Sequence, residues 1–295
     1  CRFSSAIPAP WSRTTNRTWL PVVSTLSSTA PSSGVWRKAL SSKLRNAAIE
    51  PEIIDLICIL QKMGAIITVE PNRVIFIEGV PELRGYDHGA IFDRNEAASW
   101  AAAALATKGD VFVGGVKQEE MMTFLNVFRK VGGDFDVRDD GIRFWHPGGT
   151  LKPVTIETDV HPGFMTDWQQ PLVVALTQAE GVSTIHETVY ENRFGFTDAL
   201  NQMGASIAVY KDGLSDDSRR VMRREFEQAA VITGPTALTG ADIEVPDLRG
   251  GFSHLIAALT AEGQSKVTNI GIISRGYENF IEKLRLLGAD FVFES

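Results

Sequence analysis

Apolar and polar positions alternate along this chain in two periods, and the order in which the periods follow one another repeats. Ile53, Ile54, Ile57 and Leu60 stand at helical spacing between Pro51 and Met63-Gly64, which predicts a helix opened by a proline and stopped by a glycine. Residues 43–46 predict a short strand ahead of it. The β-branched runs 66–69 and 74–77 predict a hairpin turning at Pro71-Asn72.

From Asp93-Arg94 an Ala-rich helix is expected to about Thr107, with a stop at Gly109. A strand at 111–113, a second helix over 121–131 ended by Gly132, and a hairpin of 135–137 with 142–145 across Asp139-Asp140-Gly141 follow. The plan then returns. Thr166-Asp167 reads as an N-cap for a helix over 168–178, Gly181 stops it, 182–185 is a strand, and Glu191-Asn192-Arg193 opens a second helix ending at Met203-Gly204.

A third copy starts at Asp247-Leu248-Arg249, with a helix over 252–261, a stop at Gly263 and a strand at 266–270. Arg275-Gly276-Tyr277-Glu278 is expected to open its second helix, and 290–293 to form a closing strand. Four second helices end alike, in KMGA, KVGG, QMGA and LLGA. The chain therefore reads as an α/β fold of helix-strand-helix-strand repeats.

Composition narrows this picture. At 295 residues and 44% hydrophobic the chain can bury one large core or two moderate ones. Its longest apolar run, residues 97–106, falls short of the roughly 18–20 residues that span a bilayer, so no membrane partner is expected. The two cysteines are too few for a disulfide scaffold, and Cys58, inside a helical pattern, is expected to be a buried small hydrophobe. None of the five histidines has ligand-like spacing to another His or Cys, so no metal is expected.

The net charge of −7 argues against general nucleic-acid binding. Its placement is uneven, because residues 1–49 carry +7 and no acid while the remainder carries −14. Residues 1–42, with ten Ser, five Thr and four Pro and no periodicity, read as an irregular leader outside the fold. A truncated or out-of-frame gene start, a disordered tail and a targeting segment are the three explanations. Residues 212–227, centred on SDDSRRVMRREFE, read as a solvated connector, with an interaction surface as the alternative.

Candidate chemistry gathers where helices are expected to start: Asp93 and Arg94, Asp167, Arg193, Asp247 and Arg249, and Arg275. A helix start presents free N–H groups and a positive dipole end, so it favours anions. An arginine there suits the helix poorly unless an external anion lies between the two, held by the bidentate guanidinium. The bland alternatives are that each arginine pairs with a neighbouring acid and that Asp167 is a simple cap.

The motifs NAAIEPEIID, PGFMTDWQ, ETVYENRFGF, PDLRGG and SRGYENFIEKLRLLGAD, in this order over residues 46–293, resemble the enolpyruvyl transferase family. The letters are most similar to the branch that acts on UDP-N-acetylglucosamine, actinobacterial members above all. Glu191-Asn192-Arg193-Phe194 stands where the branch acting on shikimate phosphate carries a Lys-Glu-Ser-Asp-Arg type signature. The resemblance implies an inside-out α/β barrel, with residues 43–90 a remnant of the first domain's repeat and 91–248 and 249–295 further repeats.

It also implies a cytoplasmic transferase that adds the sugar 3-hydroxyl to the central carbon of phosphoenolpyruvate and releases phosphate, with no cofactor, committing the sugar nucleotide to peptidoglycan synthesis. Asp167 corresponds to the carboxylate that hydrogen-bonds the sugar hydroxyl and takes its proton. Val189 lies where the backbone touches the uridine, with Tyr190 and Arg193 beside it. Asp247 and Arg249 correspond to the pair facing the reacting carbons and the carboxylate, Arg275 to a clamp on the phosphate, and Arg94 joins the substrate-binding set.

The family's N-terminal Lys-Asn pair and its mobile loop with a Cys or Asp acid are not recognisable here. The chain thus reads as the C-terminal three-fifths of such an enzyme, expected not to turn over alone. The alternatives are a catalytically dead sugar-nucleotide binder and the shikimate-phosphate enzyme.

Overall fold

A computed structural model of the protein describes residues 41–211 and 228–292. The charged connector expected at 212–227 lies outside the described residues, as does the leader up to residue 40. The described residues form two compact units, 41–47 with 53–89 and 48–52 with 90–211 and 228–292.

The smaller unit contains β1 (Ser41–Leu44), most of α1 (Pro51–Lys62), β2 (Ile66–Glu70) and β3 (Val74–Glu78). Its antiparallel sheet runs β1-β3-β2. Ile57, Ile67 and Ile75 form its core, with Ile53 and Leu60 packed against them. One face of α1 is therefore buried, and Cys58 falls off that face: it is exposed and free, contrary to the expectation of a buried side chain. The apolar pattern of α1 is wider than the stripe its neighbours can cover, which is why spacing alone misplaced this residue.

The larger unit contains three copies of one plan. The first is α2 (Arg94–Ala106), β4 (Asp110–Gly114), α3 (Gln118–Val131), β5 (Asp134–Arg138) and β6 (Gly141–Trp145). The second is β7 (Thr155–Glu157), α4 (Thr166–Leu176), β8 (Gly181–His186), α5 (Thr197–Gln202), β9 (Ser206–Tyr210) and β10 (Ala229–Gly234). The third is β11 (Asp242–Glu244), α6 (Leu248–Thr260), β12 (Lys266–Thr268), a 3-10 turn (Ile270–Arg275) and α7 (Phe280–Leu286). The sheets run β4-β6-β5, β7-β8-β10-β9 and β11-β12.

Helices α2, α4 and α6 pack on one another. All of α4 after Thr166 and Asp167, and all of α2 except Glu96, are buried. A helix apolar on all sides has no stable place except inside, and the alanines of α2 let its neighbours approach closely. The sheets then lie outside the helices, as an inside-out barrel requires. The break expected between residues 248 and 249 falls inside α6, and residues 90–211 and 228–292 belong to a single unit.

The four alike endings have one physical cause. Gly64, Gly132, Gly204 and Gly288 all adopt positive φ just beyond their helices, the left-handed stop that glycine takes without steric cost. Several expected boundaries move. Lys108 (φ 55), not Gly109, takes the left-handed turn after α2. Residues 191–196 are turns, so α5 begins only at Thr197, and residues 290–292 are not a strand. Arg275 ends a 3-10 turn and does not open a helix.

Gly251 sets how closely α6 sits on its surroundings. A Cβ there would lie 2.5 Å from Val245 Cγ1 and 2.9 Å from Ile273 Cγ1. Helix propensity favours Gly251→Ala by about 1 kcal/mol, but forcing two stiff β-branched side chains aside costs about 1–3 kcal/mol. The expected result is a lower thermal midpoint; a higher one would show that α6 has room to spare.

Candidate active site

The starts of α2, α4 and α6 meet at one guanidinium. Arg249, in the first turn of α6, places Nε 3.2 Å from Asp167 Oδ2 in the first turn of α4 and one terminal nitrogen 3.9 Å from Asp93 Oδ2, the cap of α2. The other oxygen of Asp167 accepts a hydrogen bond from Arg193.

The three acids reach this place differently. Asp93 caps α2, accepting from the N–H groups of Asn95 (2.7 Å) and Glu96 (3.3 Å). Asp247 caps α6, accepting from Arg249 N (2.8 Å) and Gly250 N (2.9 Å), and this cap orients the turn that carries the Arg249 side chain. Asp167 is no cap: α4 begins at Thr166 after Met165, with no side-chain capping bond. Its carboxylate, side chain 23% exposed, is spent on Arg193 and Arg249, whose side chains are 13% and 20% exposed.

A cavity of about 350 Å³ opens beside this cluster, lined by Gln170, Tyr190, Asn192, Arg193, Asp247 and Arg249 among others. Arg193 lies over the Tyr190 ring at 4.9 Å. Each arginine has a buried nitrogen outside hydrogen-bond distance of an acceptor: Nε of Arg193, and in Arg249 the same terminal nitrogen that stands 3.9 Å from Asp93 Oδ2. Burial works against the charge of Arg249, yet Asp167, then Tyr277 and Asp93, outweigh it and hold the guanidinium above its ordinary value.

The loop that carries Tyr190 and Arg193 is fastened by Glu187, a residue that apolar periodicity gives no reason to notice. It is 1% exposed. One oxygen accepts from Thr158 Oγ1 (2.9 Å), Val189 N (2.7 Å) and Tyr190 N (2.8 Å); the other accepts from Thr166 Oγ1 (2.7 Å) and Gln169. Parallel pairing of β7 with β8, Glu157 opposite His186, brings Thr158 to it. Val189 and Tyr190 are themselves exposed.

Two expected members lie elsewhere. Arg94 is fully buried and pairs bidentately with Glu52 (2.8 and 3.0 Å), with His161 at 3.3 Å and the Trp168 ring beneath it at 5.5 Å. An internal carboxylate occupies the fork that an external anion was expected to fill. Burial works against the Glu52 carboxylate, but Arg94 outweighs it and holds the group below its usual range. Arg275 is exposed and does not line the cavity; among the described residues nothing ties it to Asp167 or Arg249.

Tyr277 supports the cluster from below. Its ring stacks on Phe252 at 4.3 Å, its hydroxyl meets Ser99 Oγ at 2.8 Å, and Arg249 lies 6.0 Å above it. Burial pushes the hydroxyl up to about 12, although Ser99 and Arg249 favour the phenolate. The folded state therefore holds this proton more tightly than the unfolded chain, whose tyrosine titrates near 10. Stability is complete below pH 10 and falls by roughly 2–3 kcal/mol as pH rises toward 12. Tyr277→Phe is expected to remove that part of the alkaline loss in denaturant titrations at pH 9 and 11.5; identical losses in both proteins would contradict it.

Known proteins resemble this chain in sequence and in fold. Residues 24–284 match the family model described as EPSP synthase (3-phosphoshikimate 1-carboxyvinyltransferase). The chain is 53% identical over 247 residues to a UDP-N-acetylglucosamine 1-carboxyvinyltransferase of Protochlamydia amoebophila, covering 84% of this chain and 53% of that protein. To the protein of that name from Chlamydia muridarum it is 45% identical over 252 residues, covering 85% and 57%. The chain spans about half the length of these curated relatives.

Among solved structures, the enolpyruvyl transferase NikO from Streptomyces tendae superposes with a TM-score of 0.73 at 25% identity, covering 85% of this chain and 56% of NikO. EPSP synthase from Acinetobacter baumannii does so at 0.64 and 19% identity, covering 89% and 59%, a likeness of fold.

Proposed function

The chain belongs to the EPSP synthase (3-phosphoshikimate 1-carboxyvinyltransferase) family, and on that premise we propose that it carries the acceptor-binding and anion-binding part of an enzyme that moves the enolpyruvyl group of phosphoenolpyruvate onto the 3-hydroxyl of UDP-N-acetylglucosamine. The observation that carries this reading is the pair of partly buried guanidinium groups bridged by Asp167, each with one nitrogen outside hydrogen-bond distance of an acceptor, in residues that line an open cavity. The names and identities of the curated relatives, with Glu191-Asn192-Arg193-Phe194, favour the sugar nucleotide over shikimate phosphate as acceptor.

In this reading Asp167 accepts a hydrogen bond from the sugar 3-hydroxyl. Its two oxygens offer about four lone-pair directions, and the arginines occupy only part of them. The hydroxyl oxygen bonds to the central carbon of phosphoenolpyruvate as its own proton passes to Asp167 and the methylene carbon gains a proton. The carbon–oxygen bond to phosphate then breaks, a methyl proton leaves, and the products are the enolpyruvyl ether and inorganic phosphate.

Arg193 and Arg249 neutralise charge on the carboxylate and on the departing phosphate, commonly the largest catalytic term. Asp247 holds the Arg249 turn and faces the reacting carbons, while Tyr190 and the Val189 carbonyl flank the nucleotide. Arg275 is assigned to the phosphate on the resemblance alone. The step uses no cofactor. Its partners are small molecules in the cytoplasm, with no nucleic acid or membrane; among the described residues no helix is long and apolar enough to cross a bilayer.

Phosphate release from phosphoenolpyruvate, measured on the protein that carries this chain with each acceptor in turn, tests the reading. Release is expected with UDP-N-acetylglucosamine and not with shikimate 3-phosphate. The opposite preference would overturn the substrate assignment, and sugar-nucleotide binding without release would favour a binding protein that has lost turnover.

A further inference from the structure

Among the uncharged residues that line the cavity, Gln170 is one whose burial and bonding disagree. It is 1% exposed, and its side-chain oxygen is buried with no hydrogen-bond partner. Its amide nitrogen makes no hydrogen bond among the described residues either but, unlike the oxygen, is not fully buried, so both ends of the group are open to a ligand. Its neighbour Gln169 also has a buried oxygen without a partner, but its amide nitrogen donates to Glu187 and it does not line the cavity. A buried amide left without partners costs folding free energy, and native proteins pair almost all such groups. A methionine of the same shape would pack there without that cost.

The direction of the side chain narrows what would satisfy it. Gln170 stands three residues after Asp167 on α4, and residues at this spacing are neighbours on one helix face. Arg193 and Arg249 already supply the positive charge for an anion. An uncharged amide adds nothing to that, but it offers one donor and one acceptor to a neutral group about one helical turn from whatever meets Asp167.

We propose that Gln170 is a specificity residue that reads the acetamido group beside the reacting hydroxyl. This rests on the reading that Asp167 receives the sugar 3-hydroxyl. The acetamido group is vicinal to that hydroxyl and presents an N–H and a C=O, the complement of the two free ends of Gln170. A plain hexose presents only a hydroxyl at that position and cannot match both.

Calorimetric titration of the 295-residue chain and its Gln170→Met variant with UDP-N-acetylglucosamine and with UDP-glucose tests this, alongside thermal melts of both proteins. The variant is expected to bind the N-acetyl sugar nucleotide about tenfold more weakly or worse, to bind UDP-glucose within twofold of the parent, and to melt at the same temperature or higher. Such a split between affinity and stability is not what a purely structural glutamine would give. Equal affinities of the two proteins for the N-acetyl ligand, or equal losses on both ligands, would overturn the proposal while leaving the Asp167 reading intact. Failure of the parent chain to bind UDP-N-acetylglucosamine at all would overturn both.

Discussion

An Arg249→Ala variant is expected to lose sugar-nucleotide affinity by on the order of 2–4 kcal/mol, roughly 30-fold to 1000-fold. Arg249 sits at the start of α6, where its own N–H is capped by Asp247, and its side chain reaches Asp167 at the start of α4 and Asp93 at the start of α2. Its charge is held by those acids in spite of burial, so it is present across the working pH range. Removing it leaves Asp167 with Arg193 alone and takes one of the two guanidinium groups from the cavity lining. Arg249→Lys keeps the charge but not the planar fork, and is expected to recover only part of the loss. Calorimetry decides, and an alanine variant that binds within threefold of the parent would remove Arg249 from the site.

The second large effect falls on stability. Glu187→Ala takes one buried carboxylate from five donors in three segments, the end of β7, the first turn of α4 and the loop at 189–190. Unsatisfied buried donors cost about 1–3 kcal/mol each before relaxation, so a net loss of about 3–5 kcal/mol is expected. For a unit of this size that lowers the melting temperature by about 10 °C or more. Glu187→Gln turns an amide NH₂ toward groups that are themselves donors, and is expected to fall between parent and alanine. A loss under about 1 kcal/mol on chemical denaturation would show that water replaces the carboxylate.

The same comparison shows why some of this site was legible in the letters and some was not. Asp93 and Asp247 were placed at helix starts by local pattern, and both prove to be caps, whereas Thr166-Asp167, read as a cap, makes no capping bond. The left-handed glycines were readable from local pattern too. Arg94 was misread because its partner, Glu52, lies 42 residues away, and no local pattern shows that the fork is already filled. Arg193 was rightly grouped with Asp167 but wrongly placed on a helix; turns 191–196 deliver it.

Glu187 and Gln170 escaped notice because periodicity ranks polar residues as exposed, and both are buried where three elements meet. The strands β7 and β11, three residues each, are too short to show a period at all. What a sequence records poorly is long-range pairing, and the candidate site is built mostly from that.

The claim on which these expectations depend is that Arg193 and Arg249 keep free donors for an incoming anionic ligand. Observing the side-chain Nε–H signals of the arginines by nitrogen-15 NMR, while UDP-N-acetylglucosamine is titrated into the chain, measures it directly. The signals of Arg193 and Arg249 are expected to move in a saturable way, while those of Arg129 and Arg143, paired with Asp134 and Asp110 on an outer sheet, stay in place. Signals of Arg193 and Arg249 that do not move at millimolar ligand, or that move no more than those two references, would contradict it.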